Sequence, residues 1–252
     1  MSKSTNIRSL RNIHFVNLKS EELLDAIENK QIQCYHFVAG STFYFGRKEL
    51  ALINILNNGY AIVDSTILAW YQSIILKKTK NHVLRGSDFL RFVITRNNQA
   101  LKHFFIGASG NQIILLKNAI NILNPEFNFV GSYVPEYSES WENLAQEIGG
   151  KTAFIDVDVV WVGIGSPKQD FIINELSKIN KCKFIAIGAA LDFVSGVKIE
   201  TPPVFRESGF EWLFRLILEP KRLWRRYFFG NLWILKIFVS DYFKQMFRVN
   251  VD

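Results

Sequence analysis

The sequence predicts an α/β protein: a doubly wound, largely parallel, Rossmann-like sheet carrying a C-terminal α-helical appendage. Three observations predict it. Short apolar runs alternate six times with segments of helical periodicity. The residues that follow those runs are mostly small, and many are glycine. Beyond Thr201-Pro202-Pro203 the alternation stops, and only helical patterns remain.

The elements follow in order. Ser20 can cap a helix through Leu23, Leu24 and Ile27. A strand-like run over 33–38 closes in Ala39-Gly40-Ser41. The next helix is expected from about Arg47 to Asn57, with Asn58-Gly59 as its stop. Tyr60 to Val63 reads as a short buried strand with Asp64 at its end. Thr66 to Lys77 is apolar all round and predicts a buried helix. Arg85-Gly86-Ser87-Asp88 introduces a helix over Phe89 to Thr95. His103 to Ile106 predicts a strand, ended by Gly107-Ala108-Ser109-Gly110, and a helix then runs to about Leu123. A strand over Phe127 to Tyr133 and a helix over Ser138 to Ile148 come next. Val157 to Val162 is the clearest strand, followed by Gly163-Ile164-Gly165-Ser166-Pro167 and a helix to Ile179. Lys183 to Ile187 is the last strand. The division expected is an α/β domain over 1–200 and a basic, aromatic-rich helical appendage over 201–252, with Pro220 opening one of its helices.

Composition narrows the function. With 48% hydrophobic and 21% charged residues, the 252-residue chain is globular, not disordered, collagen-like or coiled-coil. Net charge is +7, and residues 204–252 hold nine basic residues against five acidic ones, with 13 of the 36 aromatics. An excess of positive charge predicts an anionic partner: nucleic acid, a phospholipid surface or a phosphorylated ligand. No nucleic-acid module accompanies it. No window approaches the ~20 apolar residues that span a bilayer. The first residues carry charge but no apolar core, so no signal peptide is expected. Two cysteines, Cys34 and Cys182, exclude a disulfide scaffold and suit a reducing compartment.

Ligands of open parallel sheets bind beyond the carboxyl ends of the strands. The candidates there are Ala39-Gly40-Ser41, Asp64-Ser65-Thr66, Gly107–Gly110, Gly163–Gln169 and Gly188–Asp192. Small residues and helix N-termini suit a nucleotide or a sugar-nucleotide diphosphate. Gly163-Ile164-Gly165 lacks the third glycine of a dinucleotide fingerprint and lies late in the chain, which disfavours NAD. Asp156-Val157-Asp158 precedes its strand, so both carboxylates start on the wrong end for a metal-dependent sugar transferase. The histidines at 14, 36, 82 and 103 show no ligand spacing, and no metal is expected. Asp64 is either a general base with a pKa raised by burial or the cap of the helix at Thr66. Ser166-x-x-Gln169 also reads as a capping box. Arg85 could cradle a phosphate or pair with Asp88.

Several blocks stand together in one order: Arg85-Gly86-Ser87-Asp88; Val162-Gly163-Ile164-Gly165-Ser166-Pro167-Lys168-Gln169-Asp170; Gly188-Ala189-Ala190-Leu191-Asp192-Phe193-Val194-Ser195-Gly196; Glu211-Trp212-Leu213-Phe214-Arg215-Leu216; and Glu219-Pro220-Lys221-Arg222-Leu223-Trp224-Arg225-Arg226-Tyr227. From about residue 33 to 235 the chain resembles the WecG/TagA/CpsF glycosyltransferase family. The resemblance implies an inverting, metal-independent transferase with a UDP-sugar as donor substrate and no cofactor. Its acceptor would be a lipid-diphosphate-linked sugar at the cytoplasmic face of the membrane. N-acetylmannosamine and its uronic acid are the donor sugars best known in the family, whose products feed teichoic acid, capsule and exopolysaccharide. Residue by residue, it implies Asp64 as general base, with Arg85 and Gln169 at the donor site. Ser41, Gly163, Gly165, Ser166 and Lys168 would line the substrate site, with Gly163, Gly165 and the helix N-terminus at Ser166 facing the diphosphate. Asp192 would take a ribose hydroxyl, and Arg215, Arg222 and Arg225 would reach over the site from the appendage.

Four positions depart from the family pattern: Ala39-Gly40-Ser41 in place of Thr-x-Asn, Asp64-Ser65 in place of Asp-Gly, Gln169-Asp170 in place of Gln-Glu, and Thr201-Pro202-Pro203 in place of Arg-Ala-Pro. The first of these keeps open a rival role as a catalytically weak or inactive membrane-associated subunit of a polysaccharide assembly complex. In the appendage, Lys221, Arg222, Arg225 and Arg226 share a helix face among Trp224, Phe228 and Trp233. That face suits either a solvated amphipathic helix or one lying on an anionic membrane surface, which would place the protein peripherally on the inner face of the plasma membrane. The sequence leaves a homo-oligomer open.

Overall fold

The computed structural model describes residues 7–29, 31–75, 82–96, 101–152 and 154–248. The chain begins with strands β1 (Ile7–Leu10) and β2 (Ile13–Val16), then helix α1 (Ser20–Asn29) and strand β3 (Cys34–Val38). Helices α2 (Gly40–Gly46) and α3 (Leu50–Asn58) lead to β4 (Tyr60–Val63), and α4 (Thr66–Ile75) and α5 (Gly86–Thr95) to β5 (His103–Ile106). Three strand–helix pairs follow: α6 (Gly110–Leu123) before β6 (Phe129–Tyr133), α7 (Trp141–Lys151) before β7 (Val159–Val162), and α8 (Lys168–Ile179) before β8 (Lys183–Ala186). The short α9 (Ala190–Val194) ends the α/β part, and α10 (Pro203–Glu207), α11 (Glu211–Leu218) and α12 (Pro220–Arg248) form the appendage. The tail of the helix expected to reach Lys77 lies outside the described residues.

The sheet has eight strands in the order β1-β2-β4-β3-β8-β7-β5-β6, parallel except for the β1–β2 pair. The architecture is the predicted mixed α/β fold with six parallel strands where the apolar runs placed them. Two strands were not foreseen. β1 and β2 form a hairpin whose two connecting residues, Arg11 (φ 48°) and Asn12 (φ 67°), both sit in left-handed conformation. Such tight hairpins are signalled by Asn-Gly or Asp-Gly. Arg-Asn makes the same turn without that signal. The second unforeseen element is α2, which begins at Gly40 where a loop was expected. A Cβ on Gly40 would stand 3.3 Å from the Ile234 side chain, so the missing side chain lets α12 come down onto α2.

Helices cover both faces of the sheet. α1, α5, α6 and α9 pack on one face, and α2, α3, α4, α7, α8 and α12 on the other. Central strands are buried throughout, with Tyr35, Trp161 and Phe184 inaccessible, as parallel strands covered on both sides must be. α12 is part of this packing: Ile234 and Ile237 belong to the core cluster that includes Phe43, Leu68 and Tyr71. Its far half is tied down where Asp241 accepts from Arg11 in the hairpin turn (Nη2, 2.5 Å) and from the Tyr71 hydroxyl (2.5 Å). Both cysteines are free and buried, and burial pushes the thiols up to about 11 (Cys34) and about 12 (Cys182).

Candidate active site

The carboxyl ends of β4, β3, β8 and β7 are neighbours in the sheet although the chain reaches them at residues 63, 38, 186 and 162. The strand order changes direction among them, and a parallel sheet opens into a crevice there. A cavity of about 660 Å³ fills it. Gly40, Asp64, Gly163 and Gly188 come from the strand ends, while Glu211, Arg215, Arg222 and Tyr227 come from the appendage. The appendage is therefore one wall of the cavity.

Asp64 stands on that floor. Its backbone N–H donates to Val38 O (3.1 Å), which binds the end of β4 to the end of β3. Its carboxylate accepts from the Gly86 N–H at the head of α5 (3.3 Å). Of the two sequence readings, the cap of the helix at Thr66 is thus not the one adopted. Burial raises the Asp64 pKa to about 7; Glu211 pushes the same way, while Arg215, Arg85 and the Gly86 N–H oppose it. A carboxyl half-ionised near neutrality can both take and hold a proton.

Glu211 had no assigned role in the sequence, yet it organises the cations. It accepts from Arg85 Nε (3.3 Å) and pairs with Arg215 one turn along α11. The i, i+4 spacing of Glu211 and Arg215 was the available signal. Arg85 Nη2 also donates to Thr66 Oγ1 (3.1 Å) and Arg206 O (2.8 Å). Asp88, the alternative partner for Arg85, pairs instead with Arg206 (3.1 Å). Arg215 stacks over Phe193 (4.7 Å). Burial alone would lower its pKa, but Glu211, Tyr227 and Asp64 more than offset that and raise it. Lys198 was also missed, because nothing in the Gly196–Glu200 turn marks it. It lines the cavity and pairs with Asp192 (2.8 Å) and Glu219 (3.7 Å), and Glu219 in turn holds Arg222 (2.6 Å).

The other expected site residues fall into two sets. Ser41, Gly163, Gly165, Ser166, Gln169 and Asp192 line the cavity with Asp64, Arg85, Arg215 and Arg222. Lys168 and Arg225 do not: Lys168 donates to Ser138 O (2.8 Å), and Arg225 lies against the Trp224 ring (5.2 Å) on the outer side of α12. The Arg226 side chain lies outside the described residues.

The capping box is not formed as expected. Gln169 Oε1 accepts from the Gly165 N–H (3.0 Å), and the Ser166 hydroxyl donates to Asp170 (2.7 Å). Gly163 is glycine for packing: a Cβ there would stand 2.4 Å from Leu191 Cδ1, on α9. Gly165 is glycine for conformation, at φ 110°. Asp156 and Asp158 lie at the opposite end of β7, where they hold the Lys102 ammonium and backbone N–H (2.8 Å to Asp158). Among the described residues, no three His, Cys, Asp or Glu cluster as metal ligands would.

The geometry is one of acid–base and charge-stabilising chemistry: a carboxyl poised near neutrality, flanked by arginines, on the floor of a cavity with cations in its appendage wall. Comparison with known proteins gives a family. A family model described as "Glycosyl transferase WecG/TagA/CpsF family" matches residues 8–248. A curated relative from Bacillus spizizenii, an N-acetylglucosaminyldiphosphoundecaprenol N-acetyl-beta-D-mannosaminyltransferase, is 26% identical over 173 residues. The match covers 68% of this chain and 65% of that protein, just under two thirds of its length.

Proposed function

The chain belongs to the WecG/TagA/CpsF glycosyltransferase family, and from that membership we propose that it moves a sugar of the N-acetylmannosamine type from a UDP-sugar to an undecaprenyl-diphosphate-linked acceptor sugar, with inversion and without a metal ion. The donor and acceptor classes come from the family and from the name of the Bacillus spizizenii relative. The observation that carries the mechanism is Asp64, raised to about 7 beside Arg85 and Arg215. Asp64 removes the proton from the acceptor hydroxyl. The freed oxygen attacks the anomeric carbon as the bond from that carbon to the diphosphate oxygen breaks, and the electron pair leaves with UDP. Attack opposite the leaving group inverts the centre. Arg215, Arg222 and Lys198 then face growing negative charge, with carboxylate partners already holding their side chains in place.

The test is UDP release from a panel of UDP-sugars with a lipid-diphosphate-linked N-acetylglucosamine acceptor, with and without EDTA. Release that requires both substrates and survives EDTA is expected. Absent release favours an assembly subunit without turnover, and loss on chelation restored by Mn²⁺ revives a metal mechanism.

The same proposal includes peripheral attachment to an anionic membrane surface. No helix among the described residues is long and apolar enough to cross a bilayer. The outer side of α12 nevertheless exposes Trp224, Phe228, Leu232, Leu235 and Val239, one stripe of helical spacing, beside exposed Lys221 and Arg225. Such a face suits the headgroup boundary, where each basic residue contributes about 1 kcal/mol. The triple variant Phe228→Ser, Leu232→Ser, Leu235→Ser should co-sediment far less with phosphatidylglycerol vesicles than wild type. Equal sedimentation would show that this stripe is not the docking face.

A further inference from the structure

Beneath the cavity runs a chain of three side chains that the transfer chemistry above does not use. Ser166 Oγ donates to Asp170 Oδ2 (2.7 Å), and Asp170 Oδ1 lies 2.9 Å from His36 Nδ1 on the neighbouring strand β3. His36 is 0% exposed and Asp170 1%. A buried carboxylate is stable only when its oxygens are filled by donors, and here the donors are Ser166 and His36. The consequence falls on Ser166. Its one hydrogen is committed downward, away from the cavity it lines. Gln169 fixes the other side. Its Oε1 takes the Gly165 N–H (3.0 Å), which turns its amide Nε2 to Ser166 Oγ (3.4 Å). Ser166 has only lone-pair density left to show a ligand.

A diphosphate offers acceptor oxygens alone. Set against Ser166, it would meet a lone pair backed by the Asp170 carboxylate. We infer that Ser166, held by Asp170 and through it by His36, is a specificity-determining acceptor for a hydroxyl or amide N–H of a substrate sugar, and not a diphosphate contact. This concerns the Ser166 side chain and leaves the helix N-terminus at Ser166 as the expected place for the diphosphate, and it rests on the UDP-sugar reading above. Asp170 and His36 are positioning residues, because they act on the ligand only through the Ser166 hydroxyl.

The experiment measures affinity for UDP and for the UDP-sugar by calorimetry, and the acceptor KM, in the full-length Ser166→Ala variant. Losing one hydrogen bond of this kind costs roughly 3- to 10-fold in affinity. A loss confined to the UDP-sugar, with UDP unchanged, assigns Ser166 to the donor sugar. A rise confined to the acceptor KM assigns it to the acceptor sugar. A loss shared by UDP, or no loss in either arm, overturns the inference. Wild-type protein that binds neither UDP nor a UDP-sugar removes the glycosyl-transfer reading itself, which separates the two failures. Asp170→Asn keeps the size but replaces an acceptor oxygen with an N–H donor, and it should reproduce the selective loss. If Asp170 served only to hold the fold, UDP and UDP-sugar affinity would fall together.

Discussion

Asp64→Asn should cut turnover by about 10²- to 10⁴-fold, the usual contribution of a positioned general base, and leave UDP affinity at the wild-type level. The amide keeps the size of the side chain and can still accept from the Gly86 N–H, so the cavity floor should hold its shape. In the proposed base role the reactive form of Asp64 is the carboxylate. With its pKa raised to about 7 by burial and by Glu211, kcat/KM should fall roughly tenfold per pH unit below that point, and the fall should vanish from the residual activity of the variant. Turnover near wild type in Asp64→Asn would end the assignment. The same carboxyl makes a stability prediction whose sign can be worked out. Its folded-state pKa, about 7, lies above its ordinary 3.8, so folding binds the proton more tightly. That contribution is fully present below about pH 4 and is lost as pH rises through about 7. At pH 8 the wild type therefore carries a destabilising buried charge that the variant lacks. Asp64→Asn should melt higher at pH 8, by roughly 2–4 °C for each kcal/mol relieved, and match wild type near pH 4. A variant less stable at pH 8 would mean the carboxylate is not strained there.

Arg215→Met should lower kcat by about 10²- to 10³-fold, the size of effect seen when one donor to a developing oxyanion is removed. The arginine reaches the cavity from α11, pairs with Glu211 and lowers the Asp64 pKa by its charge. Two effects should therefore appear together. The leaving UDP loses a cation, and Asp64 loses a neighbour that favours its ionised form while Glu211 stays. The acidic limb of the pH profile should move above the wild-type position near 7. Arg215→Lys keeps the charge without the two-pronged geometry, so it should hold the limb in place while recovering only part of kcat. An unchanged limb in Arg215→Met would place the guanidinium too far from Asp64 to matter.

The positions of these two residues were legible to different degrees. Asp64 follows an apolar run of strand length, and ligands of parallel sheets sit at such ends, so it could be singled out before any fold was known. Arg215 was reached only through the family-like block around it. Neither its contact with Glu211 nor the cavity wall that α11 makes has a local signal beyond the i, i+4 spacing. The glycines divide in the same way. Gly165 announces a turn, but Gly163 is required by Leu191, which is 28 residues away and on another element. The capping box at Ser166 and Gln169 is a real local preference that tertiary contacts overrode: the buried Asp170 took the serine hydrogen, and the Gly165 N–H took the glutamine oxygen.

By itself the sequence determined what depends on near neighbours along the chain. Apolar runs of strand length, helical periodicity, strand-end glycines and Pro220 specify an α/β domain followed by helices, because burial of one face and freedom of φ are decided within a few residues. It missed the β1–β2 hairpin because Arg11-Asn12 reaches left-handed φ without a glycine to mark it. The tertiary structure alone decided which strand ends become neighbours, that Glu211 stands between Arg85 and Arg215, that Lys198 meets Asp192, and that His36 fixes Asp170 across 134 residues. The His36–Asp170 and Arg85–Glu211 contacts are made at 2.9 and 3.3 Å between residues 134 and 126 positions apart in the chain. Their energies depend on distance and burial in space, quantities that no pattern of residue types along the chain records.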